Sequence, residues 1–151
     1  MRVLIVGAGA IGGWLAGVLS RGGAEVALLA RGGALAAIRA NGLILIEGDG
    51  RTAFALPASN RAADLPQPDA VVLAVKTYGF ADAAAAAAPA LRHGPLLVTA
   101  MNGLPWWFLE GLAGPLAGVR LDSIDPGGRA APLLADARPV GAVVHASTRV
   151  E

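Results

Sequence analysis

A glycine pattern near the amino terminus constrains the fold of this chain more than any other feature. The pattern is Gly7-x-Gly9-x-x-Gly12, and it directly follows the apolar run Arg2–Val6. A continuous apolar run of this length is typical of a parallel strand that is buried on both faces. From Ala10 onward the apolar spacing becomes that of an amphipathic helix, which closes at Gly22. This succession predicts the first unit of an open α/β sheet.

Strand and helix patterns alternate along the rest of the chain. Apolar runs predict strands at 25–30, 69–75, 95–100 and 140–147, and helices are predicted from about 35 to 41, at 78–88 and at 106–112. The runs 43–47 and 52–56 flank the Gly48-Asp49-Gly50 turn and predict a β-hairpin. The stretch 114–139, rich in proline and glycine, predicts connecting loop. Together these elements predict a Rossmann-type, doubly wound α/β fold with a mostly parallel sheet.

Composition excludes several classes of protein. The 151 residues allow one domain, 1–151, and a net charge of +1 gives no electrostatic reason to expect nucleic acid or an anionic membrane as partner. The absence of cysteine excludes disulfides and thiolate metal sites, and it fits a cytoplasmic protein. The uncharged stretch 3–20 resembles a membrane span, but five glycines interrupt it. Because each weakens a helix by roughly 1 kcal/mol relative to alanine, we expect no membrane segment.

The glycine pattern has a specific chemistry where it joins a strand to a helix. Gly7 permits the tight turn, Gly9 lets the backbone approach a pyrophosphate, and Gly12 lets the helix pack close to the sheet. The phosphates would lie against the turn Gly7-Ala8-Gly9-Ala10-Ile11-Gly12, where the helix start offers N–H donors. We therefore predict a dinucleotide-binding site, and a glycine-rich turn without a ligand is the alternative.

Arg31 indicates which dinucleotide this site prefers. It ends the second predicted strand, about 20 residues beyond the glycines, where an acid would bind the ribose 2′-hydroxyl of NAD. No Asp or Glu lies between Glu25 and Glu47. A carboxylate would repel a 2′-phosphate, whereas a guanidinium can bond it with two donors. The sequence thus favours NADP(H) over NAD and FAD, with a solvated loop charge as the alternative.

Two further polar residues follow predicted strands. Lys76 is the only lysine of the chain and lies where open α/β sheets bind ligands. Asn102 could hold a carboxamide or a substrate oxygen with its amide, although Asn-Gly is also a strong turn dipeptide. His93 and His145 are each isolated, so no metal site is predicted. His145 falls within the last predicted strand and is interpreted as structural.

Taken together, these features resemble the ketopantoate reductase (2-dehydropantoate 2-reductase) family. The matching elements are GAGAIGG at 7–13, Arg31, Val75-Lys76, Asn102-Gly103 and GAVVHAS at 141–147, in the family's order. The resemblance implies that residues 7–12 cradle the pyrophosphate and that Arg31 binds the 2′-phosphate. It also implies that Lys76 and Asn102 line the ribose–nicotinamide end, with Asn102 facing substrate, and that Ser147 stands against the cofactor.

The resemblance further implies an activity. The family reduces the ketone of a 2-oxoacid, 2-dehydropantoate, with NADPH on the route to pantothenate and coenzyme A. Its general-acid lysine lies in a helical C-terminal domain to which no part of 1–151 corresponds. We therefore expect a truncated chain without a catalytic residue of its own, with weak cofactor binding, negligible turnover and self-association through exposed apolar surface.

Two alternatives and one departure from the family remain. A non-catalytic nucleotide-sensing Rossmann module is disfavoured by Arg31, and another NADP-dependent hydroxyacid dehydrogenase is disfavoured by Asn102-Gly103 and GAVVHAS.

After Asn102-Gly103 the family more often has a second glycine and a polar helix, whereas this chain has Leu104-Pro-Trp-Trp-Phe108. These aromatic residues could shape a different substrate pocket. Core or interdomain packing is the interpretation we favour.

Overall fold

A computed structural model describes residues 1–110 and 112–151. It contains eight strands and three α-helices. The strands are β1 (Arg2–Val6), β2 (Glu25–Leu29), β3 (Leu43–Glu47), β4 (Gly50–Phe54), β5 (Ala58–Ser59), β6 (Ala70–Leu73), β7 (Leu96–Thr99) and β8 (Arg138–Gly141). The helices are α1 (Ala10–Arg21), α2 (Gly32–Asn41) and α3 (Phe80–Leu91).

Six strands form one parallel sheet in the order β5-β2-β1-β6-β7-β8, and β3 and β4 form a separate antiparallel hairpin. After β1, the chain adds β2 and then β5 on one side of β1. It then adds β6, β7 and β8 on the other side of β1. The strand order therefore switches between β1 and β6. In open α/β sheets ligands bind at such a switch point, outside the carboxyl ends of the strands.

The sheet separates two apolar clusters, which confirms the doubly wound architecture. Alternate residues of β1 enter opposite clusters: Leu4 and Val6 pack on the side of α3, whereas Val3 and Ile5 pack on the side of α1 and α2. All four are at most 3% exposed. Such two-sided burial is why β1 reads as a continuous apolar run rather than as an alternating one.

The β3–β4 hairpin packs on α1 where that helix has glycines. A β-carbon at Gly17 would lie 3.0 Å from Leu45, and one at Gly13 would lie 3.6 Å from Leu43. Small residues on this face of α1 let the hairpin approach closely. An ion pair between Arg21 and Glu47 links the end of α1 to the end of β3.

The last predicted strand is wrong in its bounds. The structure has β8 at Arg138–Gly141 instead of 140–147, so His145 lies outside the strand. The reason is pairing, since the ladder between β7 and β8 ends at Thr99 and Gly141. The second hairpin strand is also shifted, to 50–54 from the predicted 52–56, and the two-residue strand β5 was not predicted.

The predicted helix at 106–112 is replaced by turns in the described residues. The amide of Phe108 bonds the carbonyl of Pro105 at 3.0 Å, and that of Glu110 bonds Trp107 at 2.9 Å. Gly111 lies outside the described residues. The 114–139 stretch is connecting loop up to β8, as predicted, with short 3₁₀ turns at Pro126–Gly128 and Ala131–Leu134.

Trp106 belongs to the core, as the packing interpretation predicts. It is 9% exposed and stacks on Phe80 with ring centroids 5.3 Å apart. Trp107 packs edge-on against Trp106 at 6.4 Å and is partly buried. Within the described part of the chain, no helix is long and apolar enough to cross a membrane.

Candidate functional site

The fingerprint glycines bring β1, α1 and β6 together at the switch point. Gly7 has φ +100°, a backbone conformation that favours glycine, and its amide donates to the carbonyl of Leu29 at 2.9 Å. A β-carbon at Gly7 would lie 2.8 Å from the carbonyl oxygen of Ala74, and one at Gly12 would lie 1.9 Å from that of Gly7. Side chains at these two positions are therefore sterically excluded by the protein itself.

Gly9 differs because the protein leaves the space beside it open. A β-carbon there would meet no atom within 4 Å. Gly9 immediately precedes α1, whose start has no side-chain cap and no acid in its first turn. The first N–H groups of a helix lack intrahelical acceptors, and the helix dipole makes this end positive. An open backbone at an uncapped helix start fits the phosphates of a dinucleotide.

A groove of about 950 Å³ lies beside this turn. Its walls are the fingerprint, one side of α2, the hairpin β3–β4 and the segment 147–151. The groove brings Ser147 together with Ala8, Gly9 and Ala10, although more than 130 residues separate them in sequence. Trp14 and Arg51 also line it. Sequence reasoning missed these two, because neither belongs to a motif and Arg51 reaches the groove only through the packing of the hairpin on α1.

Two arginines and two acids line the groove, and each acid is paired with an arginine. Glu47 is paired with Arg21, and the hydrogen bond from that guanidinium lowers the pKa of the Glu47 carboxyl. Glu151 accepts hydrogen bonds from Arg149 at 3.0 and 2.6 Å. Arg51 has no ion pair among the residues that the structure describes. A groove in which both acids are partnered and one arginine is not suits an anionic ligand.

Arg31 and Lys76 lie on either side of β1 at the carboxyl edge of the sheet. Arg31 comes two residues after β2 and immediately precedes α2, with an extended backbone. Lys76 comes three residues after β6. Both side chains are exposed, and neither lines the groove beside the fingerprint. The structure thus places them at the predicted edge, one strand away from β1 in each direction.

Asn102 bonds the backbone of a distant segment. Its Nδ2 donates to the carbonyl of Val144 at 3.1 Å, and its Oδ1 accepts from the Val144 amide at 2.8 Å. Continuing the β7–β8 register three residues beyond Thr99 and Gly141 pairs Asn102 with Val144. The side-chain amide therefore takes the place of the next rung of the ladder and holds the segment that leads to Ser147. A carboxamide has a second donor hydrogen and a second lone pair, so a ligand contact is still open to it.

The strand order, the switch point and the glycine turn together define a Rossmann-type domain with the fingerprint of dinucleotide-binding proteins. Comparison with known proteins then gives the family. The profile of the family described as "Ketopantoate reductase PanE/ApbA" matches residues 3–105. The chain belongs to the ketopantoate reductase family.

Individual relatives agree with this assignment. A 2-dehydropantoate 2-reductase of Mesorhizobium japonicum is 41% identical over the whole chain, which covers 47% of that protein. A crystal structure from Ralstonia solanacearum MolK2, described as a ketopantoate reductase, is 39% identical with a TM-score of 0.90, over 99% of this chain and 46% of the other. D-mandelate dehydrogenase in complex with NADH and anilino(oxo)acetate shares the fold, with a TM-score of 0.62 and 22% identity over 70% of this chain and 35% of its own. The chain thus spans about half the length of the relatives that it matches over its full length.

Proposed function

We propose that residues 1–151 form the NADP(H)-binding domain of an oxidoreductase that reduces the ketone of 2-dehydropantoate. The observation that carries this proposal is the open backbone at Gly9 on an uncapped helix start, next to a second strand that is followed by Arg31 instead of an acid. Membership of the ketopantoate reductase family supports the substrate class. A cytoplasmic location and a place on the pantothenate route rest on the family alone.

The residues of the carboxyl edge would divide the cofactor between them. The turn 7–12 would hold the pyrophosphate through backbone N–H groups, and Arg31 would bond the 2′-phosphate. Lys76 and Asn102 would lie toward the ribose and nicotinamide, where Asn102 also faces substrate, and Ser147 would stand against the cofactor from the segment that Asn102 holds. When bound, NADPH supplies the hydride.

Catalysis needs a general acid that these residues do not provide. In the relatives, which are about twice as long, the proton for the developing alkoxide would come from a lysine in the half that residues 1–151 do not match. We therefore expect residues 1–151 alone to bind the cofactor weakly and to turn over 2-dehydropantoate negligibly. Measurable oxidation of NADPH by this chain with 2-dehydropantoate would contradict that expectation.

The competing cofactor is NADH, which is bound in the structurally similar D-mandelate dehydrogenase. The test is calorimetric titration of the chain with NADPH and with NADH, repeated on Arg31→Ala. A charged hydrogen bond contributes about 1.5–3 kcal/mol, so the substitution should weaken NADPH binding roughly ten- to a hundredfold and leave NADH unchanged.

Arg92→Ala is the matched control for this titration. Arg92 is also exposed, but it lies directly after α3, at the amino edge of β7 rather than at the carboxyl edge. Its loss should leave both affinities unchanged. Equal affinity for NADPH and NADH in the unmodified chain, in a sample whose circular dichroism shows it folded, would reject NADP(H) as the preferred cofactor.

A further inference from the structure

The short strand β5 places a second arginine beside Arg31. The register between β2 and β5 pairs Leu28 with Ala58 and Leu29 with Ser59. Arg31 and Arg61 each follow the last paired residue of these two neighbouring strands by two positions, so both lie at the carboxyl edge of the sheet. Both residues have extended backbones, with φ/ψ of −139°/165° at Arg31 and −125°/121° at Arg61. Because β2 and β5 are adjacent parallel strands, the two arginines follow them at one corner of the carboxyl edge of the sheet.

The backbone at Arg61 is fixed by a small hydrogen-bond network. The sheet ladder reaches as far as the bond from the Ala30 amide to the Ser59 carbonyl, at 2.9 Å. The amide of Arg61 then donates to Oγ of Ser59 at 3.1 Å, and that hydroxyl donates to Asp64 at 2.9 Å. Ser59 is 3% exposed. The chain direction after β5 is thus set by a buried hydroxyl, which holds Arg61 at the edge.

The Arg61 side chain is exposed and only loosely paired. In the part of the chain that the structure describes, its one carboxylate contact is with Asp64 at 4.0 Å, and the side chains of the two residues are 73% and 49% exposed. An exposed pair at that separation contributes little to stability. Arg31 makes no ion pair in the described residues. The corner therefore holds two arginines against one acid, and no other ion pair to either arginine is found in residues 1–110 and 112–151.

We propose that Arg61 is a second 2′-phosphate-binding residue and, with Arg31, sets the preference for NADPH over NADH. This inference rests on the proposed function, in which Arg31 bonds that phosphate. A phosphate monoester has three terminal oxygens and carries close to two negative charges at neutral pH. One guanidinium fork bonds two of those oxygens, which leaves an oxygen and a charge for a second cation.

The test uses the full chain, with binding constants for NADPH, NADH and 2′-AMP as readout. Arg61→Ala should weaken the binding of NADPH and 2′-AMP roughly two- to fivefold, as expected for an exposed charge contact, and leave the binding of NADH unchanged. Asp64→Asn should act in the opposite direction. It removes the competing carboxylate but keeps an oxygen for the Ser59 hydroxyl, so NADPH and 2′-AMP should bind up to a few-fold more tightly.

The outcomes separate this inference from the proposed function. If Arg31→Ala removes the preference for NADPH while Arg61→Ala and Asp64→Asn leave it unchanged, the role of Arg61 is overturned and the proposed function stands. If the unmodified chain shows no preference and Arg31→Ala changes nothing, the proposed function itself fails. Thermal unfolding of each variant excludes misfolding, and Arg92→Ala again serves as the matched arginine control.

Discussion

At Gly12 a β-carbon would lie 1.9 Å from the Gly7 carbonyl oxygen, whereas at Gly9 it would meet no atom within 4 Å. The two glycines should therefore respond differently to the same substitution. Gly12→Ala forces α1 away from the sheet, so we expect it to lower the free energy of unfolding by about 1–3 kcal/mol and to weaken NADPH binding. Gly9→Ala should cost at most about 1 kcal/mol, the difference between these residues before a helix, yet still weaken NADPH binding. Urea denaturation and calorimetry measure the two effects.

Gly13→Ala is the control for the stability effect. Its β-carbon would make an ordinary contact, 3.6 Å from Leu43. Alanine is favoured over glycine inside a helix by up to about 1 kcal/mol, so this variant should be as stable as the unmodified chain or more so. Equal stability of the Gly12 and Gly13 variants would show that α1 is not held against Gly7 as closely as the structure indicates.

Among the elements, the segment after β8 depends on Asn102. Asn102→Ala removes both bonds to Val144, while the rest of the β7–β8 ladder is unchanged. We expect the Val144 amide to exchange its hydrogen faster and the free energy of unfolding to fall by about 1–2 kcal/mol, as for two exposed hydrogen bonds. Hydrogen exchange followed by mass spectrometry tests this, with Asn60→Ala as an exposed asparagine control. Unchanged exchange at Val144 would mean that Asn102 does not hold the segment.

The elements also show how far the sequence could predict this fold. β1, α1 and β2 were predictable because their apolar periods and the glycines between them are local signals. β5 was not, because two residues between Leu56-Pro57 and Asn60 carry no period, and only their pairing with β2 makes them a strand. The end of β8 was misjudged for the same reason. The apolar run continues to Val144, but its partner β7 stops at Thr99.

The candidate site shows the same difference between local sequence signals, which are predictable, and strand pairing, which is not. The positions of Gly7, Gly9, Gly12 and Arg31 could be predicted, because motif spacing places them after the first two strands. The bonds of Asn102 to Val144 could not, because they depend on the register between two strands some 40 residues apart in sequence. The placement of Arg61 after the strand next to β2 was equally hidden, since it rests on a strand that carries no sequence signal.

At the scale of the whole molecule, apolar side chains are exposed on the stretch 104–119 and in and directly after β8. Phe108 is 47% exposed, Val143 is 74% exposed, and Leu104, Leu112, Leu116, Val119 and Val140 are between 43% and 49% exposed. A surface of this kind favours association. Strand-to-strand pairing at the free edge of β8 is disfavoured, because Pro139 lacks an N–H and Arg138 adds a charge. Association is therefore expected to proceed through side chains.

We expect residues 1–151 to self-associate as their concentration rises, with a sedimentation coefficient that increases accordingly. Phe108→Ser should shift this equilibrium toward the monomer, because it removes an exposed aromatic ring from the apolar surface. Ile46→Ser on the hairpin is the matched control, since Ile46 is 45% exposed but lies outside that surface. A sedimentation coefficient that stays constant with concentration would show that this apolar surface is tolerated in water. If Ile46→Ser dissociates the chain as well as Phe108→Ser does, the contact lies on the hairpin instead.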